Sequence, residues 1–226
     1  MLTIRRGFER PAGELVAALA GVPTGHLVDA MGGRGAIDYR IKALVDGPDV
    51  ASAFCGVALT CYAGPDDNLA VFAALEVARP GDVIVAATDA FDGSAVIGDL
   101  LLGIAKNRGV AAFVMDGLAR DLEGIAAVGI PVFCRGVSPN SPARNGPGTV
   151  GLPVTLGGLT VASGDLIAGD RDGVVVVPRE RAQVVIQALA AVRKAETALE
   201  TKVRDGLEVP DFIRDLLASG RVRYLD

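Results

Sequence analysis

The chain has 226 residues, half of them apolar, with 4% aromatic residues and no Trp. A chain of this length and composition can bury a substantial core of Ala, Val, Leu and Ile, so disordered and collagen-like classes are excluded. Its 22 basic and 27 acidic residues give a net charge of −5, which argues against a nucleic-acid partner held over a broad surface.

Three cysteines, Cys55, Cys61 and Cys134, form no CxxC pair and leave an odd number for a disulfide framework. They indicate buried thiols in a reducing compartment. The N-terminal segment has a basic pair without an apolar stretch behind it, and no apolar run approaches 18 residues. The sequence therefore predicts a cytoplasmic protein without a membrane partner and, lacking repeats or a linker, one domain over residues 1–226.

Short β-branched runs alternate with Ala- and Leu-rich amphipathic stretches between Gly and Pro residues, which is typical of an α/β fold. The predicted elements follow in chain order: helix 24–31, strand 56–61, helix 67–78, strand 82–86, a helix before Arg108, strand 110–115, helix 121–128 and strand 131–135. Thr24 and Asp67 are predicted to cap the helices that they begin.

The segment 136–153 is too rich in Pro, Gly and Ser for either regular state, and loops of this length are often functional. Between 154 and 177, short apolar runs separated by Gly-containing turns predict a small antiparallel or barrel-like β layer. Apolar residues at helical spacing then predict a long helix from 179 to 204, closed by Gly206 and Pro210.

Several familiar catalytic signatures are missing. The chain has neither a GxGxxG nor a GxxxxGK[ST] motif, and its single histidine, His26, rules out an HExxH zinc site. A lone histidine in a segment such as TGHLVD, at 24–29, is more often structural than catalytic. Chemistry is therefore expected from carboxylates, arginines and backbone amides, with or without a metal.

The most informative segment contains Arg120 and Asp121. A predicted buried strand ends at Met115, the turn Asp116-Gly117 follows, and the Arg-Asp pair begins the next helix. Ligands of α/β proteins commonly bind beyond the carboxyl ends of strands, so this pair is a candidate for a cation-binding Asp beside an anion-binding Arg. On position alone, a helix-capping Asp paired with a solvated Arg is the more frequent alternative.

A second segment is Gly98-Asp99-Leu100-Leu101. A helix that begins near Gly98 would present the free N–H groups of Leu100 and Leu101 to a carboxylate at the positive end of the helix dipole. Alternatively, Ser94 caps the helix and Asp99 is a polar residue within it. Periodicity does not choose between these two interpretations.

Seven motifs appear in this order: LVDAMG near Asp29, PDDN at 65–68, PGDVIV at 80–85, GDLL at 98–101, DGLARD ending at Asp121, PVFCRG at 131–136 and SGDLIAGDRDGVVVVP ending at Pro178. The set resembles the 4-hydroxy-4-methyl-2-oxoglutarate and 4-carboxy-4-hydroxy-2-oxoadipate aldolase family, which includes the regulator of ribonuclease activity A, over residues 20–206. The resemblance implies a layered α-β-β-α sandwich of swivelling-domain type with a mixed sheet and a long C-terminal helix. It also implies a homotrimer or a homohexamer.

The resemblance implies a divalent cation, Mg²⁺ or Mn²⁺, at the site. By the family's pattern Asp121 binds the metal directly and Asp99 reaches it through water. A glutamate from a neighbouring subunit's C-terminal helix completes the water shell, and its spacing points to Glu196, with Glu200 as the alternative. Oxygen donors of this kind suit both cations.

The implied activity is a metal-dependent pyruvate aldolase that cleaves either acid to pyruvate and an oxo acid, with oxaloacetate decarboxylase activity. The resemblance assigns catalysis to Arg120 and Asp99, and binding of the small oxo-acid substrate to Arg120 and the amides of Gly98, Leu100 and Leu101. An arginine beside a developing oxyanion can contribute about 3 kcal/mol.

Two questions stay open in this interpretation. The general base is a metal-bound water, His26 or Asp29, and the sequence does not decide among them. The activity has an alternative from another class, a non-enzymatic regulator that binds ribonuclease E. In that branch of the family the acidic metal set is incomplete, whereas this chain retains it.

Overall fold

The computed structural model describes residues 1–45 and 52–225. The helices in this part of the chain are α1 (Gly13–Leu19), α2 (Thr24–Ala30), α3 (Leu69–Val77), α4 (Asp99–Asn107), α5 (Leu122–Val128), α6 (Ala182–Arg204) and α7 (Asp211–Ala218). The strands are β1 (Leu2–Ile4), β2 (Lys42–Ala43), β3 (Phe54–Tyr62), β4 (Asp82–Ala87), β5 (Ala95–Ile97), β6 (Ala112–Met115), β7 (Leu118–Ala119), β8 (Val132–Cys134), β9 (Gly136–Val137), β10 (Gly148–Val150), β11 (Val154–Leu156), β12 (Leu159–Val161), β13 (Leu166–Asp170) and β14 (Gly173–Val177).

The main sheet is mixed. Its centre is the parallel run β3-β4-β6-β8, in which each strand reaches the next through a crossover that contains a helix. Strand β2 pairs antiparallel with β8 at one edge. At the other edge β10 and β13 pair antiparallel with different parts of β3, and β1 and β14 extend from them.

Three apolar clusters separate four layers. Helices α3, α4 and α5 cover one face of the central strands, and β13, β14 and the β11–β12 hairpin cover the other. Helices α1, α2 and α6 cover the outer face of β13 and β14. Along β14, Val174 and Val176 face the inner sheet while Val175 and Val177 face the helices, as the two-residue period of a strand requires. The predicted α-β-β-α sandwich with a mixed sheet and a long C-terminal helix is confirmed.

The predicted loop 136–153 is partly wrong, because it contains the short strands β9 and β10. Strand β10 forms where Thr149 and Val150 pair with Tyr62 and Cys61, far away in the sequence. Such pairing overrides local propensity, which the Gly- and Pro-rich composition makes unfavourable. The antiparallel strands predicted between 154 and 177 are confirmed, with β13 also joined to the main sheet.

The start of α2 differs from the prediction. Thr24 is its first residue, and both its backbone N–H and its hydroxyl donate to the carboxylate of Asp170, at 2.8 and 2.7 Å. The side-chain acceptor at the start of α2 is therefore the Asp170 carboxylate, and the predicted cap by the Thr24 hydroxyl is wrong. Asp67 does serve α3, because its Oδ1 accepts the N–H of Leu69 at 2.8 Å.

None of the helices within the described residues is long and apolar enough to cross a membrane.

The three cysteines are free thiols within the fold. Burial raises the pKa of Cys55 to about 11, that of Cys61 to about 12 and that of Cys134 to about 11. At pH 8 a thiol of pKa 11 is only about 0.1% thiolate, the reactive form.

We expect Ellman's reagent to react at least about a hundredfold more slowly with the thiols of the native protein than with those of the unfolded chain. One rapidly reacting thiol in the native protein would contradict this.

Candidate active site

Three short parallel strands, β5, β7 and β9, form a small sheet beside the main one. Each follows along the chain from a strand of the parallel centre: β5 from β4, β7 from β6 and β9 from β8. Beyond their carboxyl ends come Gly98 with α4, the Arg120–Asp121 pair with α5, and the segment that contains Ser141. The small sheet thus brings three separate segments together.

These segments line a cavity of about 240 Å³. Its walls contain every residue that was predicted for metal or substrate binding except Glu196: Gly98, Asp99, Leu100, Leu101, Arg120 and Asp121. The lining residues that were not predicted are Asn68, Phe72, Ala95, Val96, Ile97, Ser141, Pro142 and Arg144. Convergence of both predicted segments in one concave site favours a binding function over isolated surface features.

Helix α4 begins at Asp99, with Gly98 as its extended N-cap residue. The helix start agrees with the first interpretation of the segment, although the N–H of Leu100 is not free. Ser94 does not cap the helix, because its hydroxyl donates to Asp66 Oδ1 at 2.6 Å. The first N–H groups of a helix lack partners within it, which makes this end a suitable place for an anion. In this structure the N–H of Leu100 donates to Asp99 Oδ1 at 2.7 Å.

Asp121 occupies the N-cap position of α5 without making a capping hydrogen bond through its side chain. Its backbone is left-handed, with φ 63° and ψ 48°, a conformation that costs a non-glycine residue on the order of 1 kcal/mol. Oδ2 of Asp121 lies 3.4 Å from Nε of Arg120. The predicted side-chain cap is therefore absent, although the pairing of Asp121 with a partly exposed Arg120 is as that alternative predicted, and the carboxylate is left available to the cavity.

Two glycines leave room for the carboxylates of Asp121 and Asp99 against the backbone of the neighbouring segments. A Cβ on Gly98 would collide with Oδ2 of Asp121, and a Cβ on Gly124 would collide with Oδ2 of Asp99. Asp99 follows β5 and lies against α5, the helix after β7. Asp121 follows β7 and lies against the start of α4, the helix after β5.

Two arginines line the cavity. Arg120 Nη1 donates to Ser141 Oγ at 2.7 Å, and 41% of the Arg120 side chain is exposed. Arg144 lies over the ring of Phe72, 4.4 Å from its centroid, and its Nε donates to Asn68 Oδ1 at 3.2 Å. With both carboxylates, these guanidiniums give the cavity mixed charge suited to an anionic ligand and a cation.

Sequence reasoning missed Asn68, Phe72, Ser141 and Arg144 as site residues. The only signals were the PDDN motif and the predicted functional loop, and neither indicates which side chain faces the cavity.

Asp116, in the same predicted segment as Arg120 and Asp121, does not line the cavity. It is buried and accepts the N–H groups of Thr88 and Ala90 at 2.6 and 3.0 Å, which is a structural role.

Other predicted residues lie outside the cavity. His26 and Asp29, both considered as bases, are on α2. Glu196 and Glu200 are exposed on the second half of α6, beyond Leu189, the last buried residue of that helix. Within the described residues no three His, Cys, Asp or Glu side chains group closely enough to hold a metal. One chain therefore offers the cavity two carboxylates.

Asp67 lies behind the cavity wall. Its Oδ2 accepts the N–H groups of Asn145 and Gly146 at 2.6 and 2.9 Å. Burial raises the pKa of Asp67, but the backbone N–H donors and the nearby Arg144 outweigh that effect, so the pKa lies below its ordinary value. The carboxylate is therefore charged at neutral pH.

Comparison with known proteins identifies relatives. A family model described as Aldolase/RraA matches residues 24–176. A protein of Halalkalibacterium halodurans, provisionally named 4-hydroxy-4-methyl-2-oxoglutarate aldolase, is 36% identical over 82% of this chain and 87% of its own length.

Solved structures agree. RraAS2 of Streptomyces coelicolor, described as an unusual member of the RNase ES inhibitor RraA family, is 30% identical with a TM-score of 0.74, covering 86% of this chain and 99% of that one. The RNA-processing inhibitor RraA of Thermus thermophilis is 26% identical with a TM-score of 0.63, covering 70% and 93%.

Proposed function

Because the chain belongs to the RraA-like aldolase family, we propose that it is a divalent-metal-dependent pyruvate aldolase. Its substrates would be 4-hydroxy-4-methyl-2-oxoglutarate or 4-carboxy-4-hydroxy-2-oxoadipate, and it would also decarboxylate oxaloacetate. The match to a named aldolase over most of both chains supports lyase activity in general. The observation that carries the finer proposal is the meeting of Arg120, Asp121, Asp99 and the start of α4 in one cavity.

The donor set fits a hard cation. Asp99 and Asp121 supply carboxylate oxygens, and Mg²⁺ is usually bound through one or two carboxylates while it keeps several waters. We assign Asp121 as the direct ligand and Asp99 as a partner through water, with Glu196 contributed by a second copy of the chain. When bound, Mg²⁺ or Mn²⁺ would supply positive charge that stabilises an enolate oxygen.

The protein's own groups account for the other parts of the reaction. The amides at the start of α4, from Gly98 to Leu101, would hold the 1-carboxylate of the substrate. Asp99, directly or through a water, would accept the proton of the 4-hydroxyl. Arg120 would donate hydrogen bonds to the 2-oxo oxygen as its charge develops.

The bonding electrons of the cleaved C3–C4 bond are accounted for in this reaction. As the 4-hydroxyl loses its proton, C4 becomes a carbonyl carbon, and the electrons of the C3–C4 bond pass into the enolate of pyruvate. Protonation of C3 then gives pyruvate. Loss of carbon dioxide from oxaloacetate would give the same enolate, which is why one site can support both reactions.

Removal of metal tests this proposal. We expect chelator-treated protein to release no pyruvate from oxaloacetate or 4-hydroxy-4-methyl-2-oxoglutarate, and Mg²⁺ or Mn²⁺ to restore release. Asp121→Ala should lose at least about a hundredfold in metal-stimulated rate, because it removes the assigned ligand. Glu123→Ala provides the matched control, since this carboxylate is in the first turn of the same helix but outside the cavity. Metal-independent release, or equal losses in both variants, would contradict the assignment.

We also propose a homotrimer or homohexamer, because Glu196 does not line the cavity of its own chain and is assigned to the site of a second copy. Light scattering of the active protein tests this. A fully active monomer would remove the role assigned to Glu196. For an enzyme with three free thiols we propose a cytoplasmic location.

The solved relatives that are RraA proteins favour a second candidate, inhibition of a ribonuclease by protein contact. Retention of the Arg120, Asp121 and Asp99 set favours the enzyme over this alternative. A pull-down with ribonuclease E distinguishes them: binding without pyruvate release would support the regulator.

A further inference from the structure

The segment 141–147 forms one wall of the cavity and carries two of its polar side chains. Ser141 accepts a hydrogen bond from Arg120, and Arg144 stacks on Phe72. The segment belongs to no helix or strand, and Ser141 and Arg144 are both exposed. Its position must therefore depend on the groups that hold it from behind.

Asp67 is the main such group. The side chain is almost fully buried, with 7% of the residue exposed. Oδ2 binds the N–H groups of Asn145 and Gly146, while Oδ1 binds that of Leu69 in α3. One charged carboxylate thus joins the wall to the first turn of a core helix, and hydrogen bonds to a charged acceptor are the stronger kind.

Neighbouring contacts continue this attachment. The N–H of Ala143 donates to the carbonyl of Asp66 at 2.7 Å, and the N–H of Asn68 donates to the carbonyl of Ala143 at 3.1 Å. The side chain of Asn68 donates to the carbonyl of Val96 in β5 at 3.2 Å and accepts from Arg144. The wall is therefore fixed to α3 and to the strand that precedes α4.

We propose that Asp67 is a positioning residue for the reaction. By fixing the wall, its carboxylate lets Ser141 align Arg120 at the enolate oxygen and holds Arg144 toward the second carboxylate of a dicarboxylic substrate. This inference rests on the proposed aldolase function. A displacement of about 1 Å in such a group can lower a rate by about a hundredfold.

The first test is hydrogen exchange in the Asp67→Asn variant. An amide side chain cannot accept on both arms, so at least one of the bonds to Leu69, Asn145 or Gly146 is lost. We expect the amides of Asn145 and Gly146 to exchange at least about tenfold faster. Asp66→Asn is the matched control, because the Asp66 side chain binds Ser94 and its exchange pattern should be that of the wild type. Unchanged exchange in Asp67→Asn would overturn the proposal.

Kinetic coupling separates positioning from a merely structural role. We expect kcat to fall about ten- to a hundredfold in Asp67→Asn and in Ser141→Ala, and to be retained in Ser141→Thr, which keeps the hydroxyl. The double variant Asp67→Asn/Ser141→Ala should be little worse than either single variant, because both act through Arg120. Faster exchange with wild-type kcat, or fully multiplicative losses, would overturn the proposal.

Oxalate, a stable mimic of the pyruvate enolate, distinguishes failure of this inference from failure of the proposed function. Calorimetry with Mg²⁺ should show at least about tenfold weaker oxalate binding in Asp67→Asn than in Asp66→Asn. A wild-type protein that binds oxalate but releases no pyruvate would contradict the aldolase while this affinity ratio still decides on Asp67. A wild type that does neither would overturn both proposals.

Discussion

Replacing Arg120 with alanine is expected to lower kcat for pyruvate release about a hundred- to a thousandfold. The guanidinium is the donor that we place at the developing enolate oxygen, and removal of one such preorganised donor typically has this effect. Steady-state kinetics with oxaloacetate measures it. Arg40→Ala is the control, because Arg40 pairs with Asp38 at the surface and lies outside the cavity.

The Arg120→Lys variant sharpens this prediction. A lysine keeps the positive charge but cannot donate to Ser141 and to the substrate from a planar fork, so we expect it to recover little activity. Near-complete recovery would mean that only charge matters at this position. Wild-type turnover in Arg120→Ala would contradict the catalytic role altogether.

Replacing Arg10 with alanine is expected to lower the free energy of unfolding by about 3 to 5 kcal/mol, the usual cost of leaving a buried carboxylate without its cation. Asp82, at the start of β4, is 1% exposed and receives both terminal nitrogens of Arg10, with Nη2 at 2.8 Å from Oδ2. It also accepts the N–H of Arg79 at 2.9 Å. Urea denaturation measures the change.

Two further variants test the cause. Asp82→Asn in the Arg10→Ala background should restore part of the stability, because an amide carries no charge to desolvate. Arg40→Ala, which breaks an exposed ion pair, should leave the denaturation midpoint unchanged. A loss below about 1 kcal/mol in Arg10→Ala would show that water reaches Asp82 in solution.

Local sequence signals predicted the elements that carry their own pattern. The buried strands around Leu59, Ile84 and Phe113 are continuous apolar runs, and α6 shows helical spacing over its length. A start of α4 near Gly98 was one of two predicted outcomes, and the structure supports it because Gly98 is the N-cap residue and Ser94 binds Asp66 instead.

Features that depend on distant partners were not predictable in this way. Asp170 binds Thr24 across 146 positions, and Asp67 binds Asn145 across 78. Local propensity contains no information on such pairs. The same holds for Ser141 and Arg144, whose segment shows only that it is irregular. Charge type and position at a strand end made Arg120 and Asp121 candidates, and the family resemblance gave them roles. Neither indicated the side chains that orient them.

The small sheet β5-β7-β9 has a consequence for how this scaffold can change substrate. The strands β5 and β7 deliver the groups assigned to bond cleavage, whereas β9 leads into the segment that bears Arg144. Because these contributions come from separate stretches of chain, substitutions after β9 that keep the hydroxyl of Ser141 can alter which acids are accepted while the groups assigned to bond cleavage stay in place. The substrate specificity of this fold can thus change through substitutions in one segment.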